Sequence, residues 1–425
     1  MKNRRPLSAG TIFTLVLTAL VTAGSVIVLL NMRIGVNAAM DVSHITLSEP
    51  QNTASNQTLP EVSGVIKSVV TVPPVIVSQP TPTPETPTVQ NTRTLKISAG
   101  GLVTLGKEIS QSCLTSDKQN FDFSGLFSAL SEHLCDDLNI FSLGGSLNGT
   151  TAKYSDTVFP SNLANAMYEA GFDTALLNSG NVLNEGADGL NSTAAQARAS
   201  GIAPMGVQTE NALSGVFQLN GIKVALLGYT SRSLMSSKSR ANLEKAPGLV
   251  SLYDPETMAQ DIAAARQAGA ELVIVGICWG KADAEQVTKT QKADAKKLAD
   301  AGADIILGFN TEGVLPVEMV AGDTGRQALC AYSMGTLLSA DRSSSRNVSG
   351  MLLHVSVSVS NGYVSFDRID YTPTYIMRQK SGSRYVYRVL CADEEAPADM
   401  EEKQRTYMGN ALKRINTLMK DAPLR

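Results

Sequence analysis

Glu271-Leu272-Val273-Ile274-Val275-Gly276-Ile277, opening into Cys278-Trp279-Gly280, is the stretch on which the fold turns. It reads as a strand. It follows a helix read over Pro255 to Ala268, which in turn follows a strand at Lys223-Val224-Ala225-Leu226-Leu227-Gly228-Tyr229. Short apolar runs alternating with helical segments are the grammar of an α/β domain. The same grammar extends downstream into a polar helix over Gln286 to Ala301, a strand at Asp304-Ile305-Ile306-Leu307, and an exit loop Gly308-Phe309-Asn310-Thr311-Glu312. Upstream, Asn162 to Gly171 predicts a helix with Leu163, Ala164, Met167 and Ala170 on its packing side and Gly171 as its C-cap. The next strand, Phe172 to Leu177, exits through Asn178-Ser179-Gly180-Asn181, at the strand end where α/β sheets place their chemistry. The domain opens with the strand and turn Leu95 to Val103. Near its end, Leu353 to Val359 and Tyr363 to Ile369 alternate around Asn361-Gly362, a strong hairpin signal that predicts a further antiparallel sheet face. Met400 to Met419 reads as a helix with Tyr407, Leu412, Ile415 and Leu418 as its apolar stripe.

A chain of 425 residues is long enough to bury a substantial core. Its 36 Lys+Arg against 39 Asp+Glu leave a net charge of -3, so no overall basic field gathers nucleic acid, and no such partner is expected. The five cysteines, Cys113, Cys135, Cys278, Cys330 and Cys391, lack CxxC spacing, which argues against a zinc knuckle or a redox pair. Cys113 and Cys135 lie near enough in sequence to be a disulfide candidate outside the cell.

Lys2, Arg4 and Arg5 precede an uncharged, largely apolar run from Thr11 to Leu30, about the length of a membrane-crossing helix. The positive flank places residues 1–10 in the cytoplasm, residues 11–31 in the membrane as a single-pass signal-anchor, and the rest outside. A cleaved signal peptide is the rival reading, since Val36-Asn37-Ala38 resembles a cleavage site. Residues 32–93 are rich in Ser, Thr and Pro, culminating in Gln79-Pro80-Thr81-Pro82-Thr83-Pro84-Glu85-Thr86-Pro87, and read as a disordered, extended stalk. The globular domain is expected over 94–380, with 381–425 as a C-terminal extension carrying a helix.

Taken together, the strand-end segments resemble the CapA-like capsule-synthesis family of the calcineurin-like metallophosphatase superfamily. They are Ala170-Gly171-Phe172-Asp173 with the turn after it and Gly186, Cys278-Trp279-Gly280, Gly302-Ala303-Asp304-Ile305-Ile306-Leu307-Gly308 followed by Pro316 and Glu318, Tyr332-Ser333-Met334-Gly335, and Pro373-Thr374-Tyr375-Ile376. The resemblance covers about Leu95 to Ile376 and implies a four-layer α/β/β/α sandwich. It also implies a metal site whose residues this chain lacks. The family's Gly-Asp falls on Gly100-Gly101, its Asn-Leu-Glu on Ser142-Leu143-Gly144, and its Asn-Asn-His on Ser179-Gly180-Asn181. Its Asp-Tyr-Gly becomes Asn184-Glu185-Gly186 and its His-Trp-Gly becomes Cys278-Trp279-Gly280. Phe309, Asn310 and Glu312 replace the histidines of its Gly-His-His-Pro-His loop, and Gly335-Thr336 replaces a Gly-Asn.

A water-activating metal site needs anionic oxygens and imidazoles converging from several loops. The three histidines are His44 in the stalk, His133 in a predicted helix and His354 in the late hairpin, and none lies in a strand-end loop. The expectation is therefore no catalytic residue, no metal ligand and no cofactor. The candidate cleft residues are Asn181, Cys278, Trp279, Asn310 and Glu312, with Asp283 as a further member of any weaker site. Cys278 reads as a buried thiol rather than a nucleophile, and Trp279 either lines a groove as a platform or packs in the core. The implied role is that of a membrane-anchored, extracytoplasmic binding or assembly protein for an envelope polymer such as polyglutamate, partnered by capsule-synthesis machinery. A hydrolase acting on an envelope phosphate, ester or amide bond with an altered ligand set stays open, as does a purely structural or adhesive role.

Overall fold

A computed structural model describes residues 46–47 and 92–424. The expected membrane span and all but two residues of the expected stalk up to Asn91 lie outside the described residues. Among those described, no helix is long and apolar enough to cross a membrane.

The strands are β1 (Thr46–Leu47), β2 (Arg93–Val103), β3 (Leu138–Leu143), β4 (Ser146–Gly149), β5 (Val158–Pro160), β6 (Thr174–Leu176), β7 (Ala203–Met205), β8 (Val216–Leu219) and β9 (Ile222–Thr230). They continue as β10 (Leu272–Cys278), β11 (Ile305–Phe309), β12 (Val314–Ala321), β13 (Gln327–Met334), β14 (Thr336–Leu338), β15 (Ser349–Ser360), β16 (Tyr363–Ser381) and β17 (Arg384–Cys391). The helices are α1 (Gly106–Ser112), α2 (Leu163–Glu169), α3 (Gly186–Ala199), α4 (Ser237–Lys245), α5 (Pro255–Gln267), α6 (Lys289–Ala301) and α7 (Glu402–Leu418). One sheet runs β1-β8-β9-β10-β11-β13-β12 and the other β17-β16-β15-β2-β3-β6-β7, with β14 beside β2. In each sheet the central run is parallel, β9-β10-β11-β13 in the first and β2-β3-β6-β7 in the second.

The two sheets face each other across one apolar layer. Leu95, Ile97, Ile140 and Leu176 from one meet Leu226, Ile274, Leu307 and Leu329 from the other. Leu163, Met167, Leu190 and Ala194 of α2 and α3 cover one outer face, and Met258, Ile262, Ala295 and Leu298 of α5 and α6 cover the other. The layering is therefore α/β/β/α. Every residue of β10 is buried, which is why this strand is a continuous apolar run in the sequence. Gly228 and Gly276 sit opposite each other in register, and a Cβ on Gly276 would come within 2.5 Å of Leu176 Cδ1. Two side-chain-free positions thus let Leu176 seat between the sheets.

Local chemistry sets the element ends. The Asp254 side chain accepts from Thr257 N ahead of Pro255 in α5, Thr288 and Gln291 form a capping box on α6, and Gly302 at φ 109° ends it. The hairpin turns at Asn361 and Gly362, both at positive φ, with Ser360 paired to Tyr363.

Four parts differ from the sequence reading. Thr46–Leu47, inside the expected stalk, pairs antiparallel with Phe217 and Gln218, using the free hydrogen-bonding edge of β8. Residues 384–391 are no appendage: β17 extends the second sheet through β16, and α7 packs on that sheet. The buried stripe of α7 is Met408, Ala411 and Ile415, leaving Tyr407 44% exposed, because Met408 and not Tyr407 shares a face with Ile415. All five cysteines are free, including the proposed pair Cys113 and Cys135.

Arg93, at the start of β2, reaches the other sheet and binds Glu271 through Nη1 at 3.0 Å and Nη2 at 2.5 Å. That bond holds the Glu271 carboxyl below its ordinary range. A depressed carboxylate contributes stability that is complete above its unfolded value and is lost as pH falls through the folded one. Denaturant melts should therefore show stability declining below about pH 4, with a shallower decline in Glu271→Gln; identical pH profiles would remove this bond from the acid response.

Candidate functional site

The loops leaving the parallel strands are sewn together by hydrogen bonds. Leu102 N donates to Gly335 O at 3.1 Å and Gly144 N to Val103 O at 2.8 Å. Asn181 Nδ2 donates to Gly144 O at 3.3 Å, and Thr230 Oγ1 to Asn178 O at 2.7 Å. Ser231 N reaches Cys278 O at 3.0 Å and Trp279 N reaches Phe309 O at 3.2 Å. Thr336 Oγ1, donating to Glu312 O at 3.0 Å, closes the circuit back to Gly335. The strand ends of both sheets thus meet at one end of the sandwich.

Within this circuit each candidate residue has a defined place. Cys278 is 2% exposed, and burial pushes its thiol up to about 12 despite the Gly180 backbone amide directed at it. It is an inert core thiol. Trp279 is 1% exposed: its indole N–H donates to Tyr332 O at 3.0 Å, its ring stacks on Tyr332 and it meets Tyr253 edge-on. It is packed under the α5–α6 layer and offers no platform to a ligand. Asn310, at φ 86°, uses its amide to hold Gly280 O at 2.9 Å. Asn181 is half-buried and spans Gly144 and Asn184. Glu312 is half-buried; burial and then Asp341 push its carboxyl up, against Arg346 and a hydrogen bond from Asn347. Asp283, next along the rim, accepts Arg346 Nη1 through its backbone carbonyl at 3.2 Å.

These residues do not fit the metal that the family resemblance implies. A Cβ on Gly101 would lie 2.3 Å from Gly335 O and 2.9 Å from Gly335 C, so the position of the missing bridging carboxylate is filled by backbone. At Gly144 the same atom would meet Val103 O at 2.7 Å. Phe309 presents a fully buried ring. Among the described residues, the polar atoms left without partners there include Asn178 Nδ2, Ser179 Oγ and, beside Gly280, Gln291 Nε2, two amide donors and a hydroxyl. Such groups suit an oxygen-rich ligand and are poor ligands for zinc.

A second feature escaped the sequence reading. A cavity of about 750 Å³ lies between β16, β17, α7 and the loop after Asp341, walled by Arg342, Arg378, Lys380, Lys403 and Arg414 with Tyr385 and Tyr407. Arg378 lies 3.9 Å over the Tyr385 ring and pairs with Glu108 at 3.2 Å. Among the described residues, Arg342, Lys380, Lys403 and Arg414 form no ion pair with a carboxylate, and Nε and Nη2 of Arg342 have no hydrogen-bond partner. Net charge concealed this groove, because its cations are dispersed over distant segments. The legible trace is Lys403, Tyr407, Asn410 and Arg414, which recur at helical spacing along α7.

With this geometry in place, comparison with known proteins is decisive on one point. The family described as bacterial capsule synthesis protein PGA_cap matches residues 96–341. The chain belongs to this capsule-synthesis family. Over 179 residues, 41% of this chain, it is 28% identical to capsule biosynthesis protein CapA of Bacillus anthracis. Over 195 residues, 45% of this chain, it is 26% identical to PGA biosynthesis protein CapA of Bacillus subtilis. It spans 41% and 48% of the length of these relatives. The solved calcineurin-like phosphoesterase YfkN of Bacillus subtilis overlaps 77% of this chain and 98% of its own, at 13% identity and a TM-score of 0.40. Every cation of the groove follows residue 341, where the match to the capsule-synthesis family ends.

Proposed function

We propose that this chain is a non-catalytic capsule-synthesis protein of the cell envelope, held at the membrane by the span expected at 11–31, whose basic groove docks an acidic polymer of the polyglutamate type. The groove carries the reading. Repeated carboxylates on a flexible chain match a row of cations of which four, Arg342, Lys380, Lys403 and Arg414, pair with no carboxylate among the described residues, while Arg378 pairs with Glu108 and the acidic Glu401 also lines the groove. Each exposed pairing contributes about 0.2–1 kcal/mol, but several on one chain add through effective concentration. The aromatic rings of Tyr385 and Tyr407 supply apolar surface for the methylene stems. Closure of the Gly101 position by Gly335 supports a binding role over hydrolysis, as does burial of the Cys278 thiol.

The alternative, a hydrolase with an altered ligand set, draws on the meeting of Asn181, Cys278, Asn310 and Glu312 at the strand ends. It requires the filled Gly101 position to reopen. Binding of labelled polyglutamate, followed by anisotropy, separates the two. The expected result is salt-sensitive binding that weakens about tenfold or more in the surface variant Lys380→Glu with Lys403→Glu. Absence of binding at low salt, or binding indifferent to both substitutions, would sink the docking role.

A further inference from the structure

Two of the three histidines in the chain come together far from the strand-end loops. His133 closes the 3-10 turn Ser128–His133, and Cys391 is the last residue of β17, which packs against that turn, Cys391 Sγ donating to Ala129 O at 3.4 Å, and against the segment just before it, Val389 N donating to Leu126 O at 2.8 Å. Glu394 follows in the turn beyond β17. The ligating atoms of His133, Cys391 and Glu394 lie within 4.8 Å of one another. We propose that these three side chains form a divalent transition-metal site suited to zinc, separate from the family's strand-end centre.

The geometry and the chemistry agree. Imidazole, thiolate and carboxylate are zinc's ordinary protein ligands, and three of them leave one tetrahedral position open. Cys391 is only 2% exposed while Glu394 and His133 reach solvent, so the thiol is protected and the ion has an entry path. The Cys391 sulfur now donates to Ala129 O at 3.4 Å and faces Glu394, Asp393 and Glu132, a concentration of negative charge that a dication would neutralise. His133 Nε2 meets Glu394 Oε1 at 2.6 Å, and the metal would take the place of the proton they share.

The imidazole is also held from behind, as ligating histidines are. Its Nδ1 contacts Thr372 Oγ1 at 3.3 Å, and Thr372 Oγ1 contacts His354 Nε2 at 3.0 Å. His354 Nδ1 contacts Ser98 Oγ at 2.7 Å, whose hydroxyl donates to Asp136 Oδ2 at 2.7 Å. This chain of contacts leaves the two ring nitrogens of His133 with distinct tasks, Nδ1 fixed and Nε2 presented to the ion.

The test is titration of the full chain, stripped with chelator and free of any histidine tag, with zinc and with cobalt(II). One equivalent of zinc is expected, together with a thiolate-to-cobalt charge-transfer band in the near ultraviolet. The band should vanish in Cys391→Ser, and zinc affinity should fall about tenfold or more in Glu394→Gln, a substitution at a half-exposed position that leaves the core untouched. Zinc should also raise the melting temperature of the wild type and not that of His133→Gln. A wild-type protein giving no charge-transfer band, or variants that keep full zinc affinity, would overturn the assignment.

Discussion

Gly101→Asp should cost the fold about 3 kcal/mol or more and recruit no metal at the strand ends. The substitution restores the carboxylate type that the resemblance expects at that position, so in an intact site it would favour metal binding. Here the new Cβ would be driven to 2.3 Å from Gly335 O, a backbone atom held by the Leu102 N–H and by the Gly335–Gly350 bridge. Backbone locked from two sides cannot yield as a side-chain tip can. Gly101→Ala isolates the steric part and should lose nearly as much, while Gly101→Asp adds the burial of a charge. Urea melts, and elemental analysis of the purified variants set against the wild type, read both effects. A stable Asp variant holding more metal than the wild type would show that the strand end opens readily and would restore the hydrolase reading.

Trp279→Ala should be as damaging, at about 3–5 kcal/mol. The indole is enclosed by Tyr332 and Tyr253, and its removal both opens a cavity and leaves Tyr332 O without its donor. Trp279→Phe separates the two contributions: most of the volume stays, and the lost hydrogen bond should cost about 1 kcal/mol. Because Trp279 is the only tryptophan, unfolding must be followed by far-ultraviolet circular dichroism. A binding platform would behave differently, since truncating an exposed side chain leaves stability within about 0.5 kcal/mol.

Both predictions fall where motif and geometry part company. The run Glu271 to Ile277 betrayed its strand because a parallel strand buried on both faces must be apolar throughout. Asn361-Gly362 betrayed its turn because few other pairs accept positive φ twice in succession. The family was legible for the same reason: its strand-end motifs are local in sequence. Side-chain direction is not. Cys278 and Trp279 are neighbours in one motif, yet the alternation of β10 continues one residue past its end, so that Trp279 joins Val273, Val275 and Ile277 in the helix-covered layer. Convergence across the chain was hidden altogether. His133 and Glu394 meet across 261 residues, and no spacing rule connects them. The basic groove was obscured in the same way, since Arg342, Arg378 and Lys403 belong to a loop, a strand and a helix.

One consequence follows from the position of β2. This strand, the first of the second sheet in sequence, takes β3 on one side and β15 on the other, and Ser98 touches His354 across 256 residues. Until β15 has been made, one edge of β2 has no partner along Arg93 to Ala99, a template for pairing with other chains. At synthesis rates of about 5–20 residues per second, that edge waits for on the order of tens of seconds. The sheet cannot close vectorially from the N-terminus, and closure over so long a loop is intrinsically slow. Truncation at the end of the family match, residue 341, would leave that edge permanently open. The smallest unit able to fold must therefore reach through β15, and its hazard during biogenesis is association through β2 rather than loss of its finished core.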